Sequence, residues 1–193
     1  MFLKLKNVPC LVIGGGAVAQ RKVKRLLEAE ASITVVSPTV TVGLRAIIAN
    51  GKVEHRQREY REGDLEGYMV VIASTSSRQV NGRIYREAAR LKVLINAVDD
   101  PENSSFFTPS VVRRGDLQVA VSTSGRVPYF ARKFRQFLQK KIYAGIDEDL
   151  QELHRIRKSL LESKIENSEE KMRRMSALLD PKITEIFEKI DAR

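Results

Sequence analysis

Six residues near the start of this 193-residue chain, Gly14-Gly15-Gly16-Ala17-Val18-Ala19, have the types and spacing to grip a phosphate. In the order Gly-x-Gly-x-x-Ala, Gly14 permits a tight turn. Gly16 lets backbone approach a pyrophosphate, and Ala19 lets a helix pack closely on a strand. A helix starting there adds free N–H groups and a partial positive charge. The acid that commonly selects NAD at the end of a second strand, or the arginine that accommodates NADP, is missing. That strand ends in Ser37-Pro38-Thr39, so spacing alone does not choose the cofactor. A second chemical group, Asp99, follows an apolar run at the edge where doubly wound sheets bind ligands. A carboxylate there can accept a proton, or it can cap the turn before Pro101. His55 and His154 have no partners at metal-ligand spacing and are expected on the surface. The one cysteine, Cys10, excludes an intramolecular disulfide and a multi-cysteine metal site; it reads as a buried thiol on a strand.

The elements that must position these groups alternate. Apolar runs at 9–14, 33–36, 53–56, 69–73 and 93–98 read as strands, most of them buried on both faces. Helical periodicity falls at 17–29, 40–49 and 79–90. This order predicts a Rossmann-type α/β fold with a doubly wound parallel sheet over residues 1–112. A small α+β segment follows at 113–145, with a strand near 117–122 and a helix from about 128. On that helix Phe130, Phe134, Phe137, Leu138 and Ile142 share a face expected to be core. Residues 146–193 read as a helical domain. Leu150 to Ile165 form one apolar stripe and Met172, Met175, Leu178 and Leu179 a second, both expected to be core. Asp180-Pro181 is placed as a helix start.

The formal net charge is +10, which suits a polyanionic partner. Much of it is local. From 113 to 145 eight arginines and lysines stand against Asp116 alone, a charge of +7. No apolar run is long enough to span a bilayer, and the N-terminus lacks a signal-peptide core. A cytoplasmic protein with no membrane partner is expected.

Four segments in order, Gly14–Lys22, Ile33–Pro38, Asn96–Pro101 and Ser105–Ser110, resemble the precorrin-2 dehydrogenase family. That family comprises siroheme synthase N-terminal modules and their stand-alone relatives, and the resemblance runs over about residues 1–145. It implies NAD-dependent oxidation of precorrin-2, an octa-carboxylate tetrapyrrole, to sirohydrochlorin. It also implies a homodimer built largely through the segment after the Rossmann unit. By the same resemblance, Ala17, Val18, Pro38 and Thr39 contact NAD and Asp99 is the catalytic aspartate; Gly14 and Gly16 are cofactor-binding candidates from the turn itself. Some members also insert ferrous iron, so chelation stays open, with Asp99 a better candidate ligand than either histidine. Asn96 and Asn81 match family positions, and Asn81 is read as fixing local geometry.

The sequence departs from the family in two places. The family loop Ser-(Ser/Thr)-Gly-Gly-x-Ser-Pro here reads Ser122-Thr123-Ser124-Gly125-Arg126-Val127-Pro128, and Glu30 replaces a glycine after the first helix. Ser122, Thr123, Ser124, Gly125 and Arg126 are the candidate substrate contacts. Arg126 is the cation expected nearest the substrate.

Two other readings fit part of the sequence. A Rossmann module that senses NAD and signals through its helical tail does not account for Asn96–Pro101 and Ser105–Ser110. Nucleic-acid binding through the basic helix requires phenylalanines open to bases, whereas these are expected to be core, so no nucleic-acid partner is expected.

Overall fold

The computed structural model describes residues 2–163, 165 and 167–192. The chain forms two compact units, 1–108 and 109–193.

In the first unit, β1 (Pro9–Ile13), α1 (Ala17–Glu28), β2 (Ser32–Val36), α2 (Val42–Ala49), β3 (Val53–Arg56), β4 (Val70–Ala73), α3 (Arg78–Leu91) and β5 (Leu94–Ala97) follow in order. The strands make one parallel sheet in the order β3-β2-β1-β4-β5. Successive strand side chains point to opposite faces, which explains the unbroken apolar runs. Cys10 and Val12 pack with Ile33, Val35, Val70 and Ile72 against Ala19, Val23 and Leu26 of α1 and Leu44 of α2. Leu11 and Ile13 pack with Val71, Ala73 and Ile95 against Ile84 and Ala88 of α3. Each fully buried Val, Leu or Ile contributes about 1.5–3 kcal/mol relative to exposure. Both faces are covered, so the C-terminal sheet edge is where ligand-binding loops can gather.

Helix α1 ends in a Schellman arrangement. The N–H of Ala31 donates to the Leu26 carbonyl and that of Glu30 to Leu27, both at 3.0 Å. Glu30 takes the glycine position of that motif, at φ 55°.

The second unit holds an antiparallel hairpin, β6 (Ser110–Arg114) and β7 (Leu117–Val121), then α4 (Pro128–Lys141), α5 (Ile146–Glu162) and α6 (Ser168–Asp191). Its core joins Val112, Ile142, Tyr143, Ile146 and Ile186. Strand β6 is not anticipated by the periodicity. The hairpin turn is Gly115-Asp116, with Gly115 at φ 53°. Glycine supplies that conformation, and the Asp147 carboxylate accepts the Asp116 N–H at 2.9 Å.

Three expectations for this unit are corrected. Helix α6 runs through Pro181, so Asp180-Pro181 is not a helix start. An interior proline forfeits the hydrogen bond to residue i−4, here Ala177. Both Ala177 and Pro181 are exposed, so water can satisfy that carbonyl. The other side of α6 is tied to α5 by Ile186 and Ile190 in the core and by ion pairs Lys182–Glu152 and Lys189–Asp149. On α4, Leu138 and Ile142 join the core, but Phe130, Phe134 and Phe137 are 55%, 41% and 51% exposed. They stack on one another, with centroids 5.8 and 6.0 Å apart. Met172 and Leu178 of the second apolar stripe, and Phe187 on the same helix, are exposed as well. A two-stranded sheet and three helices bury one side of each helix, and these residues extend beyond that side.

Candidate functional site

A cleft of about 810 Å³ opens at the C-terminal edge of the five-stranded sheet. This volume falls within the roughly 300–1,000 Å³ of small-molecule sites. Gly14, Gly16, Ala17, Val18, Pro38, Thr39 and Asp99 all line it, so the structure brings the expected cofactor residues and the expected catalytic carboxylate together. Tyr60, Thr75 and Arg83 line it too and were not anticipated. The available signal was topological, because loops after β3 and β4 reach the same sheet edge as those after β1 and β2.

The glycines divide their work. Gly14, at φ 119°, lies so close to Ser74 that an added β-carbon would sit 2.5 Å from that carbonyl oxygen. On Gly15 a β-carbon would collide with the Thr39 carbonyl. On Gly16 it would meet nothing within 4 Å. Two glycines therefore let the turn pack, and the third borders open space. Gly16 is also the N-cap of α1, with no side-chain cap and no acid in the first turn. The first N–H groups and the positive helix end are thus left for an anion. A dinucleotide pyrophosphate fits this donor set, with Gly14, Gly16, Ala17 and Val18 to hold it and Pro38 and Thr39 alongside.

The loop after β4 is braced from α3. The Thr75 hydroxyl donates to Asn81 Oδ1 at 2.7 Å, and Asn81 Nδ2 donates to the Thr75 carbonyl at 3.2 Å. Asn81 thus has the geometry-fixing place expected of it. Tyr60 is held by its hydroxyl donating to buried Glu87, which also accepts the Gly63 N–H at 2.8 Å. The guanidinium of Arg83 lies 5.8 Å from the Tyr60 ring centroid.

Asp99 follows β5 at φ 58°, a left-handed conformation, and its side chain is exposed to the cleft. The segment after it holds this turn. Ser104 Oγ accepts the Ala97 N–H at 3.0 Å and lies 2.9 Å from the Asp100 carbonyl. Ser105 Oγ accepts the Ile95 N–H at 2.8 Å. Asn103 Nδ2 donates to Asp100 Oδ2 at 2.7 Å. Asp100, rather than Asp99, is therefore the turn-capping carboxylate. Buried Asn96 donates to the Phe106 carbonyl at 3.1 Å and accepts from Lys22 at 2.8 Å.

Ser122, Thr123, Ser124, Gly125 and Arg126 belong to the second unit, where they form a turn. Thr123 Oγ1 accepts the Val127 N–H at 3.0 Å, and Ser124 and Gly125 take φ 53° and 76°. His55 is half-buried rather than superficial, its Nε2–H donating to the Ser37 carbonyl at 3.0 Å. Among the described residues no group of three or more His, Cys, Asp or Glu side chains could hold a metal ion.

Residues 1–110 match the family described as "Putative NAD(P)-binding". The chain belongs to this NAD(P)-binding family. Residues 114–141 of the same chain match the family described as sirohaem biosynthesis protein central. Among curated proteins, siroheme synthase 3 of Aeromonas hydrophila subsp. hydrophila is 41% identical over 139 residues, covering 72% of this chain and 30% of the relative. The siroheme synthase of Methylobacillus flagellatus is 42% identical over 144 residues, 75% of this chain and 31% of the relative. That of Thioalkalivibrio sulfidiphilus is 36% identical over 189 residues, 97% of this chain and 38% of the relative. The NAD(P)-binding chain thus spans between 30% and 38% of the length of these proteins. Among solved structures, "SirC, precorrin-2 dehydrogenase" has the same fold, with a TM-score of 0.76 at 24% identity over 100% of this chain and 98% of that one.

Proposed function

We propose that this chain is an NAD-dependent precorrin-2 dehydrogenase, producing sirohydrochlorin for siroheme or a related tetrapyrrole. The observation that carries this reading is Asp99, which lines one cleft with the dinucleotide-binding glycine turn in a chain whose curated relatives are siroheme synthases. When bound, NAD supplies the nicotinamide ring that takes the substrate's hydride with its electron pair. The chain's own residues do the rest. The α1 N-terminus and Gly16 hold the pyrophosphate, and Pro38 and Thr39 border the same cofactor. The Asp99 carboxylate accepts the proton that leaves the substrate and passes it to water. Most of the rate comes from holding substrate and cofactor in register.

The substrate's carboxylates call for cations, and the segment 113–145, with its charge of +7, supplies them. Ser122, Thr123, Ser124, Gly125 and Arg126 are its proposed substrate contacts. The same segment forms the proposed homodimer contact through the exposed phenylalanines of α4. Residues 146–193 form the helical domain of this scheme. No described helix is long and apolar enough to cross a membrane, and a cytoplasmic location belongs to the same reading, in keeping with the lone cysteine.

The test is anaerobic incubation of the protein with precorrin-2 and NAD, following sirohydrochlorin absorbance. Folded protein that leaves the spectrum unchanged refutes the reading. Asp99→Ala is expected to lose most turnover while binding NAD as before; wild-type turnover in it would make Asp99 structural. Adding Fe²⁺ or Co²⁺ to sirohydrochlorin with and without protein decides chelation.

A further inference from the structure

Lys22 lies in the second turn of α1, the helix whose N-terminus caps the glycine turn. Its ammonium donates to Asn96 Oδ1 at 2.8 Å and to Thr108 Oγ1 at 2.7 Å. Both acceptors are neutral, and among the described residues no carboxylate lies within ion-pair distance of it. The side chain is half-buried. Burial, followed by Arg25 and Arg21 on the same helix, pulls its pKa down to about 8, and Asp99 alone opposes them. A desolvated cation with neutral partners costs stability. Because its charge also interacts with the Asp99 carboxylate, such a group is a functional candidate.

Its contacts show what the charge is placed to do. Asn96 sits on β5, three residues before Asp99, and Thr108 ends the segment that closes the Asp99 turn. The left-handed conformation of Asp99 persists only where its surroundings over-determine it. Lys22 ties the cofactor helix to both sides of that turn.

We infer that Lys22 is a positioning residue: it pins the strand end carrying Asp99 to the cofactor helix and holds there an ammonium that interacts favourably with the Asp99 carboxylate. The role in turnover rests on the proposed dehydrogenase reading. A cation coupled to the Asp99 carboxylate offsets the repulsion between that carboxylate and a many-armed polyanionic substrate.

The experiment compares wild type, Lys22→Met and Lys22→Arg by NAD affinity, by kcat and KM for precorrin-2, and by amide hydrogen exchange across residues 96–108. For Lys22→Met, kcat is expected to fall about tenfold or more. NAD affinity should hold within about twofold, and exchange should quicken across 96–108 but not in the glycine turn. Lys22→Arg keeps the charge and donors and is expected to recover most of kcat. Thr108→Val removes one anchor and keeps the lysine. It should show the same changes in smaller measure, and it carries the test should Lys22→Met not fold. Wild-type kcat or unchanged exchange in Lys22→Met overturns the inference. Loss of NAD affinity in step with turnover also overturns it, because Lys22 would then be a general scaffold residue. If wild type itself leaves precorrin-2 unchanged, the proposed function fails separately, and the exchange measurement still decides whether Lys22 holds the turn.

Discussion

The carbonyl of Thr39 occupies the space into which a β-carbon on Gly15 would extend. The loop after β2 is thus pressed against the glycine turn, and the Gly15 carbonyl in return accepts the Thr41 N–H at 2.9 Å. Gly15→Ala must push these two segments apart. Overpacking of this kind costs about 1–3 kcal/mol, read as a lower denaturation midpoint together with weakened NAD binding. Gly16→Ala meets no protein atom. It should leave the midpoint unchanged and raise the NAD dissociation constant about tenfold, or ~1.4 kcal/mol. Equal effects of the two substitutions on stability would remove the distinction between a packing glycine and a ligand-facing one.

Glu30 offers a stabilising change. It holds the left-handed position of a helix-ending motif where glycine carries no β-carbon penalty. Its ion pair with Lys6 is solvent-exposed on both sides and contributes little. Glu30→Gly is expected to stabilise the protein by about 1 kcal/mol, or roughly 2–4 °C in Tm for a chain of this size. An unchanged or lower Tm would show that the Glu30 side chain does more than the geometry indicates. NAD affinity is expected to stay the same.

Most of the first unit was legible because its strands are buried on both faces. The runs Cys10–Ile13 and Val70–Ala73 admit few other structures, and the glycine turn between a strand and a helix named its own ligand class. Tyr60 and Arg83 were not legible, because no local pattern says which loop residues meet across a sheet edge. Lys22 was hidden for a related reason. Its partners are 74 and 86 residues away, and on the helix it reads as one of several solvated cations. In the second unit, periodicity found the helices but not their contacts. Phe130, Phe134 and Phe137 carry the spacing of a buried face, and spacing cannot tell burial within a chain from burial between chains.

That exposed phenylalanine ridge yields the oligomer prediction. A contiguous apolar surface bordered by cations such as Arg132 and Lys133 is typical of an interface. The proposed dimer is expected to separate into monomers when Phe134, the middle ring of the stack, is replaced by aspartate. Sedimentation equilibrium reads the mass directly. Phe134→Asp that keeps the wild-type dimer mass, or a wild-type protein that is itself a monomer, would refute this placement. NAD affinity should be unaffected, since the residues that line the cofactor cleft belong to the first unit.

Lys22 is expected to make stability and activity respond to pH in opposite senses. Its pKa, about 8 in the folded chain, lies below the ordinary lysine value of 10.5, chiefly through burial. Between those values the unfolded chain holds the proton and the folded chain does not. Stability attributable to this group therefore rises with pH through that window, and the cost of the buried charge is present in full below it. Arg25 and Arg21 on its own helix reinforce the depression, Asp99 across from it opposes, and Asn96 and Thr108 are neutral. Turnover that needs the ammonium runs the other way, falling as pH rises through about 8. Lys22→Arg stays charged throughout and should move that alkaline limb upward by more than about one pH unit. A profile for Lys22→Arg superimposable on that of wild type would assign the limb to another group and leave Lys22 without a charge-dependent role.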